Sequence, residues 1–397
     1  MRRRLLCVLA LGATVPALAS CAADDEQVSR CVDTVAAGAS KDGGSTARGV
    51  AREVERLRRL RFRSLPKPRY LQKAALARRI RAELNSYPAA AAEADERALI
   101  ALGALPRGTD LRALLRKALS SQVAGSYDPK KGELVVLSDA QASLNGVERL
   151  TLAHELEHAL ADQALEFPAY LEADRPPEGL EDAAAAGLAL VEGDAMLITE
   201  AYAVEHLSAR DVLSGLAPSL AAGEEFDKLP YYVQASSVFP YTEGLAFVCR
   251  VFARGGWKAV DRAYRKPPVS TAQILFPGRY LARERDVDPP DPPPPGRGWK
   301  RLDRTAVGAA DLLWLFEAPG GKVTRALSGS RRRAAAWAGG EAYVWGRGPR
   351  TAVTLTLVQR RGARDLCASV RAWLRAADRR GAVVRCSGRI VRASLRT

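Results

Sequence analysis

Two of the chain's three histidines stand four residues apart with a glutamate after the first: His154-Glu155-Leu156-Glu157-His158. On a helix, positions i and i+4 lie one above the other on one face, so both imidazoles can reach a single ion about 2 Å from each nitrogen. Glu155 then projects beside that ion, placed to take a proton from water. The chemistry this set supports is metal-assisted hydrolysis. Chance explains the pattern poorly: at roughly 2% His and 6% Glu, a random chain of this length shows it about one time in a hundred. The competing reading is a solvated helix face with two incidental histidines.

A catalytic zinc site takes three protein ligands and leaves a position for water, so the two histidines need a third group. His206 is the remaining histidine. Glu192, however, lies in an apolar run over 188–197, where a carboxylate is costly unless it is paired or bound to metal. Glu192 is therefore the expected ligand, with Glu181 and Glu200 as alternatives and an acid facing water as the plain reading. Asp162, one turn after His158, and Asp194 are placed to accept the second ring N–H of a histidine and fix its tautomer. A His-His-Glu set favours Zn2+ among divalent ions.

Elements must position these groups. Apolar residues at Val147, Leu150, Ala153, Leu156 and Leu160 keep a helical period over 147–165, which puts the histidines where a buried helix opens into a cleft. Directly upstream, 123–129 leads through Lys130-Lys131-Gly132 to a strand over 133–138, a hairpin signal. Downstream, past a loop holding Pro168, Pro176 and Pro177, a long helix is expected over 181–207 and carries Glu192. Earlier helical patterns cover 46–60 (apolar at Val50, Val54, Leu57 and Leu60), 73–84, 90–105 and 111–119, with an extended stretch at 61–71 broken by Pro66 and Pro68. The Pro-rich stretch 287–298 reads as a semi-rigid linker. Beyond it, a helix at 306–315, strands near 341–345, 352–358 and 383–391 and a helix at 366–377 suggest a small α+β module.

A chain of 397 residues exceeds the usual single core, so two domains are expected, 46–286 and 299–397. Arg2, Arg3 and Arg4 precede an apolar run over 5–19 that is too short to span a bilayer and has the layout of a secretory signal. It closes on Leu18-Ala19-Ser20-Cys21, which resembles the bacterial lipobox. Residues 1–20 are then expected to leave and Cys21 to carry lipid, with free secretion as the alternative. Residues 21–45, rich in Ala, Gly, Ser and Asp, read as a flexible tether. No second apolar run approaches membrane length, so the rest of the chain is expected to be soluble and outside the cytoplasm.

With Cys7 in the signal, Cys31, Cys249, Cys367 and Cys386 remain, an even set that suggests two disulfides in an oxidising compartment. Three pairings are possible; Cys367 with Cys386 and Cys31 with Cys249 is the expectation because it keeps one bond local. The formal charge of +15 is unevenly spread: 134–230 holds 19 acidic against 4 basic residues, and 299–397 holds 21 basic against 6 acidic. A basic tail could hold an anionic wall polymer or lipid headgroups, although in an Arg- and Ala-rich chain a merely solvated face is the plainer reading. Nucleic acid is not expected of an exported chain without an aromatic-basic motif.

Several stretches, in order, are similar to a family of secreted bacterial zinc metallopeptidase-like proteins of the gluzincin type, which is largely uncharacterised. They are Phe62 to Tyr70, Gly108-Thr109-Asp110-Leu111, Gln122-Val123-Ala124-Gly125-Ser126-Tyr127-Asp128-Pro129, the motif continued as His158-Ala159-Leu160-Ala161-Asp162-Gln163, Glu192-Gly193-Asp194-Ala195, and Phe239-Pro240-Tyr241 leading to Gly255-Gly256-Trp257. The likeness covers most of 50–377. It implies an α+β protein: a mainly helical zincin-like domain with a small edge sheet along which an extended substrate lies, then a small α+β C-terminal domain. It also implies zinc-assisted hydrolysis of peptide bonds at the cell surface, with Glu155 as general base and a donor for the oxyanion. Tyr241 is the donor chosen, beside Tyr202 and His206; each reads equally as a packing aromatic or a satisfied histidine. The chain departs from the family pattern Ser-Thr-Glu-Gln-x-Leu-His-Pro at Ala272 and Phe276, and in the tail Ala335 to Gly340 is similar to a Gly-Trp-x-Gly-Asp element without its aspartate. Those losses motivate the alternative, a peptidase-like binding or assembly lipoprotein without activity. Hydrolysis of a non-protein amide such as a wall crosslink is a third reading.

Overall fold

The computed structural model describes residues 22–39, 46–72, 74–76, 78–79, 89–122, 124–138, 144–165, 176–208, 211, 224, 226–348, 350–363 and 365–396. The export signal, Cys21, most of 73–84 and the loop 166–175 lie outside them. Over the described residues the protein is α+β, with helices and two separate sheets. No helix among them is long and apolar enough to cross a membrane.

Helix α1 (Ala22–Ala36) occupies much of the stretch that composition marks as a tether. Val28, Cys31, Val32, Val35 and Ala36 recur at three- and four-residue spacing, so one face can be buried. Cys31, Val32, Val35 and Ala36 are buried, and Val28 packs beside them. Cys31 is bonded to Cys249, and Arg250 donates to Gln27 at 2.6 Å. The tether expectation fails because composition ignores spacing: Asp25, Glu26, Ser29, Arg30, Asp33 and Thr34 are exposed on the outer face. Helix α2 (Ala47–Arg58) is capped by the Thr46 hydroxyl and stops at Arg59, whose φ of 60° is left-handed, so it ends before the expected Leu60.

Next come β1 (Arg69–Leu71), α3 (Ala89–Leu102), α4 (Leu111–Gln122), β2 (Gly125–Asp128) and β3 (Glu133–Leu137). The strands form a three-stranded sheet in the order β1-β3-β2, with β1 parallel and β2 antiparallel to β3. Gly132 takes φ 60° in the hairpin turn. Central β3 is covered on both faces, and Leu134, Val135 and Val136 are fully buried. Strand β2 lies at the sheet edge.

Next along the chain come α5 (Gly146–Ala164), α6 (Glu181–His206), α7 (Tyr231–Phe252) and α8 (Gly256–Arg265). Helix α5 opens on a capping box: the Asn145 side chain accepts from the Glu148 N–H at 3.0 Å, and Glu148 accepts from the Asn145 N–H at 2.8 Å. Helices α6 and α7 touch backbone to backbone, since a Cβ on Gly193 would come within 2.2 Å of the Gly244 carbonyl. Helix α7 runs unbroken through Pro240, which is why the sequence gives no single helix there.

The remainder comprises α9 (Thr271–Leu275), α10 (Pro277–Leu281), β4 (Lys300–Ala306), α11 (Ala309–Glu317), α12 (Ser330–Ala334), β5 (Trp337–Arg347), β6 (Arg350–Gln359), α13 (Leu366–Ala376), β7 (Val383–Ser387) and β8 (Ile390–Arg396). The second sheet is antiparallel in the order β4-β5-β6-β8-β7. The single strand expected over 383–391 is a hairpin folded at Gly388, whose φ is 55°. Cys367 is bonded to Cys386, tying α13 to β7. The Pro-rich stretch packs on this sheet. Pro289 and Pro292 are buried, Tyr343 donates to Asp291, and the Val287 N–H donates to Ala338 O at 2.8 Å. Residues on both sides of it belong to one continuous apolar cluster running from Cys31 to Leu395, so it does not separate two cores.

Asp182, in the first turn of α6, binds the start of α9. Its carboxylate accepts from the Thr271 hydroxyl at 2.6 Å and from the Thr271 N–H at 3.2 Å. Burial, against the pull of Thr271 and with Asp311 and Asp286 pushing the same way as burial, raises the Asp182 carboxyl to about 8 from 3.8. Between about 4 and about 8 the folded chain holds this proton and the unfolded chain has released it, so stability is fully present below that window and is lost as pH rises through it. In calorimetry, the drop in Tm from pH 5 to pH 8 is expected to be smaller in Asp182→Asn than in the parent. Parallel Tm curves would contradict this.

Candidate metal centre

Helix α5 presents His154 and His158 on one face, and α6 presents Glu192 across from them. The three ligand atoms converge: His154 Nε2 lies 3.0 Å from His158 Nε2 and 3.2 Å from Glu192 Oε2, and His158 Nε2 lies 3.4 Å from the same oxygen. Bonds of about 2.0–2.1 Å to a tetrahedral ion put neighbouring ligand atoms about 3.3 Å apart, so the triangle could hold such an ion without rearrangement. All three side chains are buried, and they are the one such group of candidate metal ligands among the described residues.

The protonation states agree with a ligand set. Burial, resisted by Glu192, pushes His154 down to about 4, leaving a neutral ring. Burial pushes the Glu192 carboxyl up, but the two histidines outweigh it and hold the group down to about 2. A neutral imidazole beside an ionised carboxylate is the form that binds a cation. Of the other acids considered as ligands, Glu181 accepts from the Gly179 and Ala306 N–H groups at 2.9 and 3.0 Å and sits at the far end of α6, and Glu200 lies two turns past Glu192.

Glu155 is fully buried between α5 and β2. A Cβ on Gly125 would lie 2.9 Å from Glu155 Cγ and 2.6 Å from Thr151 Cγ2, so only a glycine lets the strand come this close. Burial first, then Glu192, hold the Glu155 carboxyl well above its ordinary range, with the Tyr127 N–H pulling weakly downward. Glu192, whose charge helps raise Glu155, is also one of the three candidate metal ligands. Tyr241, the residue after Pro240 on α7, brings its ring centroid to 6.2 Å from that of His154, so the backbone contact of Gly193 with Gly244 delivers it to the site. Tyr202 and His206 do not reach the site; their rings pack on each other at 4.7 Å, and His206 lies 3.4 Å from Glu53.

The outer partners of the histidines differ from those expected. Asp162 accepts the Tyr127 phenol at 2.8 Å, because β2 crosses that turn of α5. Asp194, two residues and hence about 200° around α6 from Glu192, faces away from the histidines. It accepts from Arg58 Nε and from the Tyr264 phenol, both at 3.0 Å. In their place, His154 Nδ1 lies 3.2 Å from Thr199 Oγ1, and the carboxylate facing His158 Nδ1 is Glu157, at 3.8 Å.

Behind the site, Arg58 is fully buried. Its Nη2 is 2.9 Å from both Asp194 and Asp261, its Nε is 3.8 Å from Glu157, and its guanidinium lies over Trp257 at 4.3 Å. Burial raises the Glu157 and Asp194 carboxyls, and Arg58 opposes this for both. Arg58 and Thr199 were not among the expected site residues, although signals existed. Arg58 continues the core-facing series Val50, Val54 at four-residue spacing, and Thr199 lies seven residues after Glu192 on the same face of α6.

The segment that departs from the family pattern, 270–277, covers α9 and the start of α10. Thr271 touches Asp182, almost three turns along α6 before Glu192, and Phe276 packs on Arg279 and Arg331. No protein-family model matches the chain, nor does any curated protein or solved structure.

Proposed function

We propose that the protein is a zinc-dependent metallopeptidase that hydrolyses peptide bonds outside the cytoplasm, anchored through a lipid on Cys21. The observation that carries this is the convergence of His154 Nε2, His158 Nε2 and Glu192 Oε2, with Glu155 buried next to His154 on α5. A zinc ion held by those three residues supplies Lewis-acid polarisation of a carbonyl and lowers the pKa of water toward about 7. Glu155 takes the proton of the attacking water and returns it to the leaving amine. Tyr241 is the hydrogen-bond donor proposed for the oxyanion. A zincin-like fold is supported by the order of parts: an edge strand, the motif helix packed against it, then a helix bringing the third ligand. The likeness to gluzincin-type sequences gives the same reading, with peptide or protein as substrate.

Complete burial of the four site side chains favours a second reading, a metal-stabilised binding protein that cuts nothing. The purified protein separates the two. After dialysis against metal-free buffer it is expected to retain about one zinc per chain and to cleave casein. Treatment with 1,10-phenanthroline is expected to remove both properties, and added zinc to restore them. Zinc retained without cleavage of casein or denatured protein would leave the binding role. Folded protein without zinc would overturn the metal reading.

A further inference from the structure

We propose that Thr199 is a positioning residue that sets the tautomer of His154 and so aims its Nε2 lone pair at the metal position. The inference rests on the metal reading above and concerns how the ligand is prepared. The Thr199 hydroxyl has one proton, and it is spent: Oγ1 lies 2.7 Å from Ala195 O, a carbonyl one turn back on α6. Toward His154, 3.2 Å away, the same oxygen can then only accept. That assigns the ring hydrogen of His154 to Nδ1 and leaves Nε2 with its lone pair. That lone pair faces His158 Nε2 and Glu192 Oε2 at 3.0 and 3.2 Å.

His154 is fully buried and Thr199 is 5% exposed, which leaves little room for bulk water to take over the hydroxyl's place. Among the described residues His158 Nδ1 has no such hydrogen bond, with the Glu157 side chain 3.8 Å away. A hydroxyl fixes a tautomer without adding negative charge, and the metal position already receives one anion from Glu192. Outer partners of this kind typically contribute about 10–100-fold to metal affinity.

Two measurements test the proposal. In metal-free 15N-labelled protein, long-range 1H–15N correlation is expected to show His154 with its hydrogen on Nδ1, and this is readable whether or not zinc binds. Thr199→Val, which keeps the shape and removes the oxygen, is expected to mix the tautomers and to weaken zinc binding about 10–100-fold in a chelator competition. Thr199→Ser is expected to restore both. A wild-type His154 with its hydrogen on Nε2 would overturn the proposal, as would a Thr199→Val protein that binds zinc within about two-fold of the parent. Wild-type protein that binds no zinc would instead defeat the metal reading, with the tautomer result still standing.

Discussion

Glu155→Gln is expected to bind zinc as tightly as the parent and to lose about 10^2–10^4-fold in peptide hydrolysis. The amide keeps the size of the side chain and its place beside Gly125, but it cannot accept a proton at neutral pH. The three residues proposed to hold the metal are untouched. Glu192→Ala is the complement: it removes an ionised ligand and leaves two neutral histidines, so zinc content and hydrolysis are expected to fall together. Metal analysis and a casein assay on both variants give a two-way separation. Retained hydrolysis in Glu155→Gln would remove the general base from the scheme, and stoichiometric zinc in Glu192→Ala would move the third ligand elsewhere.

Arg58→Met is expected to lower stability by roughly 3–5 kcal/mol in denaturant unfolding, the usual scale for removing one partner of a buried ion pair. Arg58 is fully buried and lies within ion-pair distance of Asp194, Glu157 and Asp261. Methionine fills much of the space over Trp257 but leaves the buried acids without a counter-charge. Adding Asp194→Asn is expected to recover part of the loss, because one of the stranded carboxyls is then neutral. A loss below about 1 kcal/mol would show that the acids hold protons at little cost and that the guanidinium is dispensable.

Much of the site was legible because its chemistry depends on local spacing. A four-residue interval fixes the relation of His154 to His158, and an acid within an apolar run marks Glu192, so the ligand triangle needed no tertiary information. What surrounds the ligands was not legible in this way. Asp162 and Asp194 are near the motifs in sequence, but which face of a helix meets which neighbour decides a hydrogen bond, and β2 and α2 claim those two carboxylates. Thr199 lies on the correct face and was passed over because a hydroxyl in an apolar helix carries no charge to draw notice. Helix periods were readable where no proline interrupted them, as over α5 and α6. They misled where Pro240 runs through α7, and where small polar residues hide the apolar stripe of α1.

Helix α1 begins at Ala22 and is fastened to α7 by the Cys31–Cys249 bond. A lipid on Cys21, if attached as proposed, would stand one residue before that helix, and the proposed enzyme would ride on the bilayer like a cleat on a deck. Its working radius would be its own thickness, so a substrate would have to come down to the membrane surface to be cut. Selection among substrates would then begin with geography, before any subsite is tested.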